Sequence, residues 1–315
     1  MKEATKQPII LDVDTGIDDA MAIAYAVRSP ELELLGLTTC FGNVTVEEAS
    51  RNSLQVLEQL DRDDIPVIPG AAEPLFRPPL KGKTVSVHGH NGLGDAELSE
   101  PKGAALDMHA AEFIVEQARK RPHEVTVIAV GTMTNMALAI MKDPEIVHLL
   151  KRVVIMGGAV TVPGNVTPHA EANIYADPEA AEFLFRSGVP ITLVGLDVTM
   201  KTLLPRAELA NWREKNTKLS RFMADITDYY MDSYTSFYPG ILGCALHDPL
   251  AVGVVIDPTF VKTKPIHVQV DTEGIYSIGR TVGDLRARAE QEPNMDVCLE
   301  VDADRFLQHF LKRIV

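Results

Sequence analysis

Short apolar runs alternate with stretches of helical spacing through the first half of the chain. "PIILDV" reads as a buried strand, and "DDAMAIAYAVRS" supplies helix formers up to Pro30. "LELLGLTT" is a second strand. "TVEEASRNSLQVLEQL" places apolar residues at helical spacing behind an acidic first turn, which suits a helix N-terminus. "IPVI" is a third strand. Beyond a long polar loop the pattern predicts a helix near "DMHAAEFIVEQARK", then strand "EVTVIAV", helix "TNMALAIMK" and strand "RVVIMGG". Strands alternating with helices predict βαβ units with right-handed crossovers. The expected class is α/β: a Rossmann-like, mostly parallel central sheet flanked by helices. Ligands of such sheets bind outside the carboxyl ends of the strands, so the chemistry is expected just after each apolar run.

The second half is more helical. "PEAAEFLFRSG" reads as a helix, "PITLVGL" as a strand, and a long helical region follows from Pro205 to Tyr234. "DPLAVGVVI" is a short apolar helix. "IHVQVDT", "GIYSIGRTV" and "NMDVCLEVD" read as late strands, a meander or antiparallel sheet edge, before the amphipathic helix "DRFLQHFLKRI". No repeat or linker divides the chain, so 1–315 reads as one domain with the middle helices as an insertion or lid. Two long loops stand out, from Glu73 to Leu106 with "VHGHNGLGD", and from Gly157 to Pro178. Structureless loops beyond about 12–15 residues are uncommon in compact domains and are often functional.

Of the 315 residues, 46% are apolar, enough for a large core. Lysine and arginine number 30 against 44 acids, a net charge of −14 that repels phosphate backbones and excludes a nucleic-acid polymer as partner. Three widely spaced cysteines, Cys40, Cys244 and Cys298, form no CxxC pair and fit buried thiols in a reducing cytosol. No run reaches the roughly 18 apolar residues of a membrane span. The opening "MKEATKQPIILDVD" lacks the long apolar stretch of a signal peptide. A cytoplasmic protein without membrane partners is expected.

"LDVDTGIDDA" then raises a question, because it places Asp12, Asp14, Asp18 and Asp19 together beside an apolar strand. Strand alternation points Asp12 and Asp14 to one side. Gly16 lets the chain turn, and Asp18 and Asp19 open a helix. A capping role for Asp18 and a dipole role for Asp19 account for two acids at most. Acids this close resist ionising together unless something positive joins them. No Lys or Arg lies between Gln7 and Arg28. A divalent cation fits, and oxygen-only ligands indicate a hard one, Ca²⁺ or Mg²⁺. Asn43 in "GLTTCFGN", the Val130 carbonyl before Gly131, and His247-Asp248 in "HDP" stand at other strand ends or helix starts.

In order, DVDTGIDDAMAIAYA, TTCFGN, VHGHNG, AVGTMTNMALA, IMGGA, PGN, EAN and HDPLAV resemble the inosine–uridine-preferring nucleoside hydrolase family over nearly the whole chain. Thr15 departs from it, standing where a proline is common. The resemblance implies the nucleoside hydrolase fold, a small ribonucleoside as substrate, and a homodimer or homotetramer. It implies one Ca²⁺ held by Asp14, Asp19, the Val130 carbonyl and Asp248, with ribose hydroxyls and water filling its shell. The expected reaction is hydrolysis of an N-glycosidic bond, with Asp18 resembling the base that takes a proton from water. His247 is the candidate acid for the leaving base, with Asp248 expected to favour its charged form; a His here points to the broad inosine/uridine group. Asn43, Asn165, Glu171 and Asn173 resemble ribose-holding residues, and Met156 an apolar contact beneath the sugar. His88, with His90 as rival, is expected against the base. Tyr234, Phe237 and Tyr238 are candidates to close over it.

Two other readings remain at this point. An apolar run before DxD also begins haloacid-dehalogenase-type phosphatases, with Asp12 as nucleophile and Asp14 as acid. Gly16 breaks that motif, and "GDLRARA" at Gly283 lacks its later acid. A non-catalytic calcium- or nucleoside-binding protein would keep the acidic cluster but require no role of Asp18 or His247.

Overall fold

Why the first strand is buried on both faces is visible in the side chains of its neighbours. In a computed structural model, which describes residues 6–315, β1 is Gln7–Val13. Ile9, Leu11 and Val13 join one hydrophobic layer and Ile10 the other. The remaining strands are β2 Leu32–Thr39, β3 Val67–Pro69, β4 Thr126–Ala129, β5 Arg152–Met156, β6 Ile191–Val194, β7 Leu203–Pro205, β8 Gly243–Ala245, β9 Val261–Ile266, β10 Val268–Val270, β11 Thr281–Gly283 and β12 Met295–Val301. Eight of them form one sheet in the order β3-β2-β1-β4-β5-β6-β12-β9. All its neighbours run parallel except β12 and β9, which pair antiparallel at the edge. β10–β11 and β7–β8 are separate antiparallel pairs.

The helices Ile17–Val27, His247–Ile256 and Ala303–Leu311 cover one face, and Ala110–Lys120, Thr134–Lys142 and Pro178–Phe185 the other. The strand order reverses between β1 and β4, and a crevice opens at such a switch point, outside the carboxyl ends. Asp14 directly follows β1, and Val130 directly follows β4.

Three sequence expectations need correction. The helical region from Pro205 to Tyr234 is two helices, Glu208–Lys215 and Lys218–Phe237, after a strand ending at Pro205. Asn216 takes a left-handed φ of 53°, and Thr217 then caps the second helix by accepting from the Ser220 N–H. "GIYSIGRTV" is mostly a turn, and only its end enters β11. The Asp271 carboxylate gathers donors from the Glu273 and Gly274 amides and the Ser277 hydroxyl, which curls the chain before a strand can form. The long loops also carry short helices, Val85–His88 and Ala172–Ala176.

All three cysteines are buried and unpaired. Among the described residues no helix is long and apolar enough to cross a membrane. Residues 1–5 of the opening stretch read above against a signal peptide lie outside the described residues.

Candidate active site

Helix Ile17–Val27 begins at Gly16, so Asp18 and Asp19 both lie within its first turn. Gly16 stands at the N-cap, not Asp18 as the capping reading had it, and the side chain that reaches back to it is that of Asp19. Its carboxylate accepts the Gly16 N–H at 2.9 Å and the Asp14 N–H at 3.1 Å, satisfying donors left open at the helix start. Asp18 makes one long contact, from the Tyr230 hydroxyl at 3.3 Å. Its Oδ1 is buried with no partner.

Asp14 turns toward the loop after β2, where its carboxylate accepts the Asn43 N–H at 2.6 Å. The Asn43 side chain reaches both Asp14 and Asp19, at 3.3 Å each. Asp248 arrives from the first turn of helix His247–Ile256. Asp18, Asp19 and Asp248 each offer an oxygen within 4.8 Å of the others and are buried, so they form a group that can hold a metal ion. Asp14 was expected in that group; it lies beside it, bound to Asn43. Asp12 leaves the cluster altogether. It lies on the Ile10 face of β1, where it accepts from Thr38 Oγ1 at 2.5 Å and Asn135 Nδ2 at 2.8 Å.

Burial raises the carboxyls of Asp14 and Asp248 well above the usual range, and the charges of neighbouring carboxylates push the same way. Burial, then Asp19, pushes Asp18 up to about 7. Burial alone raises Asp19 against the hydrogen bonds it accepts. Carboxylates this crowded favour a bound cation or a shared proton. Their donors are all oxygen, which fits a hard ion.

Above the cluster opens a cavity of about 430 Å³, within the range of small-molecule sites. Asp18, Asn43, His88, Val130, Met156, Asn165, Glu171, Asn173, Tyr234, Phe237, Tyr238, His247 and Asp248 all line it, while Asp14 and Asp19 lie beneath its wall. His88 is buried there, and its Nδ1 accepts the Ile17 N–H at 3.1 Å. His90 is exposed.

Several side chains are already engaged. Glu171 caps helix Ala172–Ala176 and accepts the amides of Gly158, Asn173 and Ile174. Asn173 donates to the Val130 carbonyl at 2.6 Å and the Met156 carbonyl at 3.1 Å, leaving its own oxygen for a ligand. Asn165, exposed at the mouth, accepts the Ala172 N–H at 3.0 Å.

His247 differs from the expectation of a charged ring. Burial pushes it down to about 4, so it is neutral at neutral pH. Its Nε2 lies 2.5 Å from the Tyr234 hydroxyl and its Nδ1 2.7 Å from Thr199 Oγ1. Tyr230, Thr199 and Lys81 were not singled out in the sequence. Tyr230, Tyr234 and Tyr238 recur every four residues, the signal that would have placed Tyr230 on the cavity-facing stripe.

The phosphatase reading does not survive this geometry, because Asp12, its nucleophile, is fully buried and does not line the cavity. Comparison with known proteins points elsewhere. Residues 9–308 match the model of the inosine-uridine preferring nucleoside hydrolases. The chain is 39% identical over 307 residues to the pyrimidine-specific ribonucleoside hydrolase RihA of Salmonella gallinarum, covering 98% of each. A purine-preferring ribonucleoside hydrolase from Gardnerella vaginalis has a similar structure, with a TM-score of 0.94, 44% identity and 98% of both chains covered. A plant nucleoside hydrolase gives a TM-score of 0.92 at 32% identity, over 98% of this chain and 99% of its own. The chain belongs to the inosine-uridine preferring nucleoside hydrolase family and is a ribonucleoside hydrolase, an N-glycosidase.

Proposed function

We propose that this chain, folded as one domain, hydrolyses the N-glycosidic bond of ribonucleosides with one Ca²⁺ held by Asp14, Asp19, Asp248 and the Val130 carbonyl. The observation that carries this is the buried group Asp18–Asp19–Asp248 at the floor of a nucleoside-sized cavity. When bound, calcium supplies positive charge and open coordination positions for a vicinal diol and water, since it takes 6–8 oxygens in a flexible shell. The unpartnered Asp18 Oδ1 supports a place for that ion or for the water beside it.

Asp18 accepts the proton of the attacking water. Its unpartnered Oδ1 leaves an oxygen free to take that proton. The sugar carbon gains oxocarbenium character as the base departs. Asn43, Asn165, Glu171 and Asn173 hold the ribose hydroxyls, and Met156 packs beneath the ring. Each buried hydroxyl left unpaired would cost about 1–3 kcal/mol.

His247 and Tyr234 act as a pair on the leaving base. The short contact between them supports proton movement through the Tyr234 hydroxyl. His88, Phe237 and Tyr238 contact the base. A homodimer or homotetramer and a cytoplasmic location complete the proposal. The relatives named above differ in their printed base preference, pyrimidine-specific against purine-preferring. The reading is tested by assaying ribose release from inosine, uridine, adenosine and cytidine, with and without chelator. Release that a chelator stops supports it; no release from any nucleoside overturns it.

A further inference from the structure

Twenty residues line the cavity, and Lys81 is the only Lys or Arg among them. It sits on the long loop after β3, half-buried, and belongs to no motif described so far. Its neighbour Lys83 is engaged, donating to Glu48 at 2.6 Å and to the His90 carbonyl at 3.1 Å. Lys81 joins no ion pair among the described residues, yet its charge reaches Asp14, Glu171 and the His88 ring.

The cavity's other nitrogen bases offer no comparable cation. His88 accepts the Ile17 amide through Nδ1, so that nitrogen carries no proton. Both ring nitrogens of His247 are taken by Tyr234 and Thr199. The reaction nevertheless generates negative charge. When the C1′–N bond breaks, its electron pair goes to the base nitrogen, water oxygen bonds to C1′, and the water proton goes to Asp18. A keto base such as hypoxanthine or uracil spreads that charge onto its carbonyl oxygens.

We infer that Lys81 contacts the departing base and stabilises the negative charge that develops on it. The inference rests on the hydrolase reading above. An ammonium on the cavity wall interacts more strongly with the forming anion than with the neutral nucleoside, so it lowers the barrier rather than only tightening binding.

The test compares Lys81→Met and Lys81→Arg with the wild type on inosine and on nitrophenyl riboside, whose leaving group is already a stable anion. Calcium affinity is measured on each purified protein. Lys81→Met is expected to lose about 30- to 100-fold in kcat on inosine and less than about threefold on the riboside, with calcium affinity unchanged. Lys81→Arg should recover most of the loss. An inosine loss less than about tenfold larger than the riboside loss, or one that follows a loss of calcium affinity, overturns the inference. Wild-type protein that releases no ribose sinks the hydrolase reading; active wild type with an unimpaired Lys81→Met sinks the role of Lys81 alone.

Discussion

The Tyr234 hydroxyl lies 2.5 Å from Nε2 of His247, deep in the cavity wall. Thr199 takes the other ring nitrogen at 2.7 Å, so the imidazole and the tyrosine form one hydrogen-bonded pair on the cavity wall. Removing either member should therefore give the same signature. His247→Ala and Tyr234→Phe are each expected to lower kcat on inosine by roughly 10²-fold, and turnover of nitrophenyl riboside by about threefold at most. Equal losses on both substrates would remove the pair from leaving-group chemistry.

Asp18 is held by one long hydrogen bond from Tyr230, and its second oxygen is unpartnered. Asparagine keeps its shape but cannot accept a proton. Asp18→Asn should lose about 10²- to 10⁴-fold in kcat while KM changes little. Steady-state kinetics on inosine check this, and near wild-type turnover would dismiss Asp18 as the base.

Metal removal should act on activity and stability together. An ion that binds only the folded state adds about 2.7 kcal/mol at a hundred times its Kd. Chelation should therefore lower Tm as well as stop ribose release, and Ca²⁺ should restore both. Asp248→Asn should abolish the calcium-dependent rise in Tm. Scanning calorimetry with and without chelator decides this, and a Tm indifferent to calcium speaks against a resident ion.

Gly42 lies against the cluster from the loop after β2. A Cβ built there would meet Asp14 Oδ2 at 2.0 Å. Gly42→Ala must displace the Asp14 carboxylate or the Asn43 amide that holds it. Calcium affinity should fall by about tenfold or more, as when a ligand's support is removed. Calorimetric titration measures it, and unchanged affinity would show that Asp14 does not hold the ion.

Much of the parallel sheet was legible because runs such as "PIILDV" and "RVVIMGG" are buried on both faces and leave no polar alternation. The turn at "GIYSIGRTV" was not, since its apolar letters hide the donors that Asp271 collects. The crowding of Asp14, Asp18 and Asp19 is local and shows in ten consecutive residues. Asp12 could not be separated from them by spacing, because its partner Asn135 lies 123 positions away. The choice between His88 and His90 depends on how one loop folds over Gly16 and Ile17, and the two rings are only two residues apart. The neutral state of His247 follows from its burial; an adjacent Asp in the sequence suggests the opposite. Lys81 is a single residue in a loop without periodicity, so no pattern marks it.

The most direct measurement is a crystal structure with calcium and a ribose mimic bound. The expected result is one ion touching the carboxylates of Asp14, Asp19 and Asp248 and the Val130 carbonyl, with two vicinal hydroxyls completing its shell. An ion bound elsewhere, or a sugar seated without touching it, would contradict the proposed chemistry at its root.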